Sequence, residues 1–391
     1  MAHLEIARAE RLAALPPYLF AEIDRMAEEE RARGADIIDL GVGDPDLPTP
    51  AHIVEALKEA SGKPANHRYP SYLGMIEFRR AVADWYKDRF GVELEPEREV
   101  VSLIGSKEGI AHLPLAFVNP SDVVLYSDPG YPVYRTSVLF AGGVPEPVSL
   151  RAERGFLPAL EEIPADLARR AKLFYVNYPN NPTSACCERS FFEELVAWAV
   201  EHQVAIAHDA AYTEMSYDGF RPPSILEVEG AKEVAIEFHS LSKTYNMTGW
   251  RVGFAVGSAQ LVGGLGGIKT NIDSGIFQAV QEAGIAALSG PQECVAEMRR
   301  IYQGRRDVVV EGLREAGLEV ASPRATFYVW FACPQGMAST DCAAHLLRKT
   351  GIVLTPGVGF GAAGEGYCRI ALTVGEERLA EAVGRIKEVG F

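Results

Sequence analysis

The chain has 391 residues, 48% of them hydrophobic and 23% charged, which is typical of a globular protein long enough to bury a substantial core. Its formal net charge of −15 argues against nucleic acid and anionic membranes as partners. The six cysteines include no C-x-x-C pair, and the eight histidines do not cluster with them. We therefore expect reduced thiols, no metal site and a cytoplasmic location.

The N-terminal segment, residues 1–11, is charged and contains no apolar stretch. This composition does not fit a secretory signal. No run of eighteen apolar residues occurs along the chain, so we expect no membrane-spanning segment.

Short apolar or β-branched runs alternate with helical patterns through the middle of the chain. The predicted strands are Val123–Tyr126, Lys172–Asn177, Val204–His208, Val234–His239 and Val252–Val256, and the predicted helices are Val133–Ala141 and Ser190–His202. Apolar strands that alternate with helices predict an α/β fold with a mostly parallel sheet covered on both faces.

The C-terminal part has a different pattern. A long helix is predicted at Gln292–Ala316, strands at Thr326–Phe331 and Tyr367–Leu372, and a final helix at Glu376–Val389. We expect a large α/β domain at residues 48–290. Residues 1–47 and 291–391 are expected to form a smaller, discontinuous α+β domain.

Polar residues follow the carboxyl ends of three predicted strands, where open α/β sheets bind their ligands. These residues are Asn181, Asp209, Tyr212, Ser240, Ser242 and Lys243. An amide, a carboxylate, a phenol, two hydroxyls and an amine are thus expected to converge on one crevice.

This set fits the chemistry of pyridoxal 5′-phosphate. An aldehyde cofactor needs an amine to hold it as a Schiff base, and Lys243 supplies one. Its pyridine nitrogen needs a carboxylate to stay protonated, for which Asp209 is suited. Asn181 and Tyr212 can donate hydrogen bonds to the phenolate oxygen of the ring.

The phosphate of such a cofactor needs N–H groups, hydroxyls and a cation. Residues 105–107 open a predicted helix, whose N-terminus favours anions. The residues predicted to bind the phosphate are Ser106, Lys107, Ser240, Ser242 and Arg251, the last through a bidentate guanidinium. Tyr131 is predicted to lie on the face of the pyridine ring.

Each of these residues also has an ordinary structural role. A lone lysine is usually on the surface, and Lys107 is a rival amine. Asp209 is of a type that often caps a helix, Tyr131 fits a core, and Arg369 fits a structural salt bridge. The joint occurrence of these residues favours the cofactor interpretation.

Four motifs resemble those of class I/II aminotransferases and occur in that family's order. They are G-V-G-D-P at 41–45, N-Y-P-N-N-P-T at 177–183, D-A-A-Y at 209–212 and S-L-S-K-T-Y-N-M-T-G-W-R-V-G at 240–253, with Y-C-R-I-A-L at 367–372 near the end. The resemblance covers nearly the full chain and implies fold type I and a homodimer with active sites across the subunit boundary. It also implies that Arg369 binds the substrate α-carboxylate and that Tyr69 reaches the phosphate in the neighbouring subunit.

Longer segments resemble the LL-diaminopimelate aminotransferases. They include L-P-P-Y-L-F-A-E-I-D, H-R-Y-P-S-Y-L-G and K-T-N-I-D-S-G-I-F-Q-A-V-Q. The resemblance implies conversion of tetrahydrodipicolinate to LL-diaminopimelate with glutamate as amino donor, in lysine biosynthesis, with Tyr18 and Gly43 touching substrate. Asn271 and Ser274 are candidates for reading the distal end of that substrate.

Several alternatives remain open at this stage. An aspartate, alanine or aromatic aminotransferase is the nearest, and a lyase using the same cofactor would share Lys243, Asp209 and Arg369. A non-catalytic regulator would usually carry a DNA-binding segment, which we do not expect here because the chain is acidic and starts almost directly with the enzyme-like part. The match to G-x-G-x-x-G at 359–364 precedes a predicted strand, so we interpret it as a flexible active-site loop and not as a dinucleotide site.

Overall fold

The computed structural model describes residues 6–15 and 20–389. Its helices are α1 Glu10–Ala13, α2 Phe20–Ala32, α3 Ala51–Ser61, α4 Ile76–Phe90, α5 Ser106–Phe117, α6 Val133–Phe140, α7 Ala165–Arg170, α8 Arg189–His202, α9 Ala231–Val234, α10 Leu241–Thr244, α11 Ala259–Ile272, α12 Gln278–Ser289, α13 Glu293–Glu315, α14 Ser339–Thr350 and α15 Glu376–Val389. None of these described helices has both the length and the apolar composition to cross a membrane.

The strands are β1 Ile38–Asp39, β2 Val100–Leu103, β3 Val123–Asp128, β4 Val144–Ser149, β5 Ala171–Asn177, β6 Ala205–Asp209, β7 Ala235–Ser240, β8 Gly253–Gly257, β9 Tyr328–Ala332, β10 Ile352–Val353, β11 Thr355–Pro356 and β12 Tyr367–Ala371. The strands and helices predicted from the sequence pattern are all present, with bounds that differ by at most two residues at either end.

The central sheet has seven strands in the order β2-β8-β7-β6-β5-β3-β4. Strands β4, β3, β5, β6 and β7 are mutually parallel, whereas β8 is antiparallel to both of its neighbours. The prediction of a mostly parallel sheet is confirmed. The sequence V-P-E-P-V-S of β4 does not have the pattern of a typical strand, but its two prolines suit the edge position that it takes.

Helices cover both faces of this sheet because successive strand residues point to opposite sides. Phe174 packs in one apolar cluster with residues of α4 and α8. Its neighbour Tyr175 packs in another cluster, with residues of α5, α6 and α11. Both faces of the sheet are therefore buried, as the nearly continuous apolar character of the strands predicts.

A third apolar cluster surrounds the three-stranded antiparallel sheet β11-β12-β9 and includes residues of α13, α14 and α15. The short strands β1 and β10 form a separate parallel pair, in which Ile38 lies opposite Ile352. The N-terminal segment thus pairs with the C-terminal part of the chain. The proposed domain boundaries at residues 48 and 290 stay a prediction.

Candidate active site

A cleft of about 1100 Å³ lies at the carboxyl ends of the parallel strands. Its lining includes most of the residues predicted from sequence: Gly43, Ser106, Lys107, Tyr131, Asn181, Asp209, Tyr212, Ser240, Ser242, Lys243, Arg251 and Arg369. Tyr69, Asn271 and Ser274 are exposed and do not line it. Tyr18 lies outside the described residues.

Lys243 lies in α10, which begins directly after β7. The Ser240 hydroxyl caps this turn by accepting a hydrogen bond from the Ser242 backbone N–H at 3.2 Å. The Lys243 Nζ donates to the Gly43 carbonyl oxygen at 2.9 Å. Burial disfavours the ammonium and lowers the pKa of Lys243 to about 8, against the opposing attraction of Asp44. This lysine therefore holds a larger fraction of neutral, nucleophilic amine near neutral pH than an exposed lysine does.

Asp209 ends β6 opposite Asn177 of β5, and the Asn177 side-chain amide donates to the Asp209 carbonyl oxygen at 2.6 Å. The Asp209 carboxylate accepts from the Tyr134 hydroxyl at 2.8 Å and from the Ala211 N–H at 3.3 Å. Burial raises the pKa of Asp209, while the Tyr134 hydrogen bond opposes that shift. No ion pair to Asp209 forms among the residues that the structure describes, so the site can accommodate a cation there.

Arg369 is buried on β12, and its guanidinium donates to the Asn181 Oδ1 and to the Gly41 carbonyl oxygen, each at 2.7 Å. No described carboxylate pairs with it, and its Nε has no hydrogen-bond partner among the described groups. Burial lowers the pKa of this guanidinium. A buried cation without a counter-ion is costly, so this position suits an anionic ligand.

Two tyrosines of the cleft, Tyr212 and Tyr328, contact each other, and Tyr328 also contacts Arg369. The hydroxyls of Tyr212 and Tyr328 lie 3.1 Å apart, and the Tyr328 ring lies 4.1 Å from the Arg369 guanidinium carbon. A Cβ atom at Gly43 would collide with the Tyr328 hydroxyl. Glycine is therefore required at position 43 by this close approach, whereas the sequence indicated only contact with substrate.

The part of the cleft formed by the N-terminus of α5 and by Arg251 is suited to an anion. Gly105 has a positive φ of 75° and precedes the twelve-residue helix α5, so that backbone N–H groups of its first turn point outward. A Cβ atom at Gly105 would collide with the Arg251 guanidinium. Arg251 Nη1 donates to the Thr248 carbonyl at 3.0 Å, and Lys107 Nζ lies 5.6 Å from the centre of the Tyr131 ring.

The glycine-rich segment at 359–364 precedes β12, and residues 359–362 line the cleft, whereas its predicted flexibility stays a prediction. It forms two short 3₁₀ turns. The Phe360 carbonyl accepts from the Gly130 N–H at 2.9 Å, and the Ala363 N–H donates to the Asp128 carboxylate at 3.2 Å. These contacts attach the loop to the end of β3.

Sequence reasoning missed Tyr134, which is buried and donates a hydrogen bond to Asp209, and Tyr328, which lines the cleft. Tyr134 is three residues after Tyr131, near the start of α6, and this nearness in sequence was the available signal. Tyr328 carried no comparable signal, because it lies within an aromatic strand that is typical of any buried sheet.

The chain matches the family model described as aminotransferase class I and II over residues 35–386. It is 60% identical over 384 residues to an LL-diaminopimelate aminotransferase from Syntrophobacter fumaroxidans, covering 98% of this chain and 99% of that protein. It is 58% identical over 381 residues to one from Aquifex aeolicus, with 97% and 98% covered. The structure of substrate-bound BacF from Bacillus subtilis superposes with a TM-score of 0.94 at 38% identity, over 99% of each chain. This chain therefore belongs to the aminotransferase class I and II family, with the type I fold of pyridoxal-phosphate enzymes.

Proposed function

We propose that this pyridoxal-phosphate-dependent aminotransferase converts tetrahydrodipicolinate and glutamate to LL-diaminopimelate and 2-oxoglutarate, a step of lysine biosynthesis. The observation that carries the proposal is identity of 55–60% over nearly the whole chain to relatives named LL-diaminopimelate aminotransferase. The resemblance of the N-terminal and central segments supports the same substrate.

The donor set of the cleft fits pyridoxal 5′-phosphate at three points. The N-terminus of α5 and the Arg251 guanidinium form an anion-binding end. Asp209 is a buried carboxylate that has hydrogen-bond donors but no cationic partner within residues 6–15 and 20–389. Lys243 is a buried amine of the same cleft, and its pKa is lowered to about 8. A phosphate, a protonated ring nitrogen and an aldehyde would complement these three groups in turn.

The roles of the site residues follow from this fit. Lys243 would hold the cofactor covalently and Asp209 would pair with its ring nitrogen, while Tyr131 would cover its ring. Asn181 uses its Oδ1 to accept from Arg369, so its N–H₂, which has no partner among the described groups, would donate to the ring oxygen together with Tyr212. The phosphate would be bound by Ser106, Lys107, Ser240, Ser242 and Arg251.

When bound, the cofactor supplies a carbonyl that takes up the substrate amine and a ring that withdraws electrons. Arg369 would orient the substrate by its α-carboxylate. The Lys243 amine would then move the proton at the substrate Cα as a general base, because displacement by the substrate amine leaves it neutral. Tyr328 packs over the Arg369 guanidinium and helps to keep it in place.

The pKa of Lys243 gives a testable pH dependence. Only the neutral amine attacks an aldehyde, so we expect the rate of covalent cofactor loading onto the cofactor-free protein to rise about tenfold per pH unit and to level off near pH 8. Stopped-flow absorbance measures this rate. A rate that continued to rise in the same way up to pH 10 would indicate an ordinary lysine and count against the assignment.

Tyr134 is expected to act as a positioning residue for Asp209. The variant Tyr134→Phe removes a buried hydrogen bond to the carboxylate, which we expect to cost about 1.4 kcal/mol and to weaken cofactor binding roughly tenfold. Fluorescence titration with the cofactor measures the change. Tyr175→Phe is the matched control, since Tyr175 stacks on Tyr134 but donates to the Ile110 carbonyl instead. Equal losses in both variants would show a general packing effect.

The substrate is tested by a half-reaction on the protein loaded with cofactor. Single amino acids are added without a keto acid, and conversion of the cofactor to its amine form is followed by absorbance. We expect LL-diaminopimelate and glutamate to convert it, whereas aspartate, alanine and aromatic amino acids do not.

Conversion by aspartate or alanine, with none by LL-diaminopimelate, would retain aminotransfer and reject the proposed substrate. Turnover of one amino acid that did not depend on any keto acid would instead indicate a lyase. Tetrahydrodipicolinate and glutamate together should give 2-oxoglutarate, which a coupled dehydrogenase assay detects.

We also propose that the chain is a cytoplasmic homodimer with active sites completed across the subunit boundary. Exposed apolar side chains that lie close to one another support such an interface: Tyr69 is 89% exposed, and Tyr72, Ile272 and Phe277 are also exposed. Tyr69 and Tyr72 belong to one segment and Ile272 and Phe277 to another. These two segments touch, because the Gln278 side-chain amide donates to the Arg68 carbonyl oxygen at 3.3 Å. Sedimentation velocity should give the mass of two chains, and a monomer with full activity would reject this proposal.

A further inference from the structure

Three of the six cysteines converge beside the small antiparallel sheet. Cys333 directly follows β9, Cys368 lies in β12, and Cys342 lies in the first turn of α14. Their sulfur atoms all lie within 4.8 Å of one another, and the Cys333 and Cys368 sulfurs are 3.7 Å apart. The sequence predicted no metal site because it contains no C-x-x-C pair and its histidines do not cluster with the cysteines.

Buried cysteines often serve only as small apolar residues, and Cys342 and Cys368 do belong to the apolar cluster. The distances between the three sulfurs point to more than packing. Thiolates bound to one ion at about 2.3 Å lie about 3.8 Å apart in a tetrahedral site and about 4.0 Å apart in a trigonal one. Cys333 is partly exposed, which gives an ion a path to the cluster.

We propose that Cys333, Cys342 and Cys368 form a binding site for one thiophilic divalent cation of the Zn²⁺ and Cd²⁺ class, separate from the active cleft. Three sulfur ligands favour such ions over Mg²⁺ and Ca²⁺, which require oxygen ligands. The thiols bind as thiolates, so their protons pass to the solvent as the ion enters. Water completes the coordination from the side of Cys333.

The site would connect elements that border the active cleft. Cys368 precedes Arg369 in β12, so that the two side chains point to opposite faces of the strand. The Ser339 hydroxyl, one turn before Cys342, accepts from the Val358 N–H at 3.4 Å, and Val358 lines the cleft. A bound ion would therefore join α14 to the strand that carries Arg369 and should raise the melting temperature.

The test is a cadmium titration of the reduced protein loaded with its cofactor, performed without oxygen. Equilibrium dialysis gives the stoichiometry, and the thiolate-to-cadmium charge-transfer absorption in the ultraviolet reports the number of sulfur ligands. We expect one Cd²⁺ per chain with three thiolates. Because loss of an outer-shell partner already costs about 10–100-fold in affinity, removal of a direct ligand in Cys333→Ser or Cys342→Ser should cost at least about 100-fold.

The double variant Cys186→Ser/Cys294→Ser is the matched control, since both residues are partly buried cysteines outside the cluster. It should bind Cd²⁺ as the unmodified chain does. Absence of stoichiometric binding in the unmodified chain, unchanged binding in Cys333→Ser, or loss of binding in the control would each overturn the proposal. If Cys342→Ser does not fold, the partly exposed Cys333 decides the result alone.

Discussion

Replacing Lys243 with alanine is expected to lower the rate of aminotransfer by at least about 10⁴-fold. The residue would both hold the cofactor and move the substrate Cα proton, and a positioned general base alone contributes about 10²–10⁴-fold. Its Nζ lies within the cleft, donates to the Gly43 carbonyl at 2.9 Å and has a pKa lowered to about 8. Turnover of glutamate with 2-oxo acids measures the loss.

The variant Lys243→Arg separates this role from that of a structural cation. Arginine keeps the positive charge but does not deprotonate in proteins, so it can neither capture an aldehyde nor accept a proton. We expect it to be as inactive as Lys243→Ala. Lys172→Ala changes an exposed lysine of β5 and should retain full activity. Normal turnover by either Lys243 variant would remove this residue from the mechanism.

A second measurement locates the covalent link independently of activity. Borohydride reduction of the loaded protein, followed by peptide mass spectrometry, should place the cofactor on the peptide that contains Lys243. Lys107 is the rival amine in the same cleft. A cofactor mass on the Lys107 peptide would reassign the attachment site while leaving the proposed aminotransfer intact.

The position of the cleft could be predicted from the sequence because strand ends converge in a parallel sheet. Asn177, Asp209 and Ser240 each end a strand, and β5, β6 and β7 are adjacent and parallel. An apolar strand followed directly by polar residues can be identified from the local sequence. Because open α/β sheets bind ligands at the carboxyl ends of their strands, this pattern predicts where the site lies. The only long-range information that this prediction required was that β5, β6 and β7 lie next to one another in the sheet.

Features that depend on contacts between distant segments could not be predicted in this way. The hydrogen bond from Tyr134 to Asp209 joins residues that are 75 positions apart in the sequence. The close contact of Tyr328 with Gly43 joins β9 to the N-terminal segment. The strand predicted at Thr326 begins instead at Tyr328. Thr326 has a positive φ of 69° and its N–H donates to the Met215 carbonyl, so it does not continue the strand.

Replacing Arg369 with lysine is expected to lower kcat/KM for glutamate by roughly 150-fold. Loss of hydrogen bonding to a charged group costs about 1.5–3 kcal/mol, and a loss of about 3 kcal/mol corresponds to that factor. Lysine retains the charge but lacks the planar fork that binds a carboxylate through two N–H groups. Steady-state kinetics with glutamate measures the loss.

A simple amine without a carboxylate distinguishes substrate binding from general damage to the site. Arg369 also donates to Asn181 and Gly41, so its loss could disturb the cofactor pocket as well. If Arg369 binds the α-carboxylate, the slow half-reaction with such an amine should proceed at the same rate in Arg369→Lys and in the unmodified chain. An equal fall with glutamate and with the amine would mean that Arg369 positions Asn181, and that the substrate carboxylate is bound elsewhere. The buried guanidinium has no described carboxylate partner, and because such a charge is costly to keep unpaired, we expect the first result.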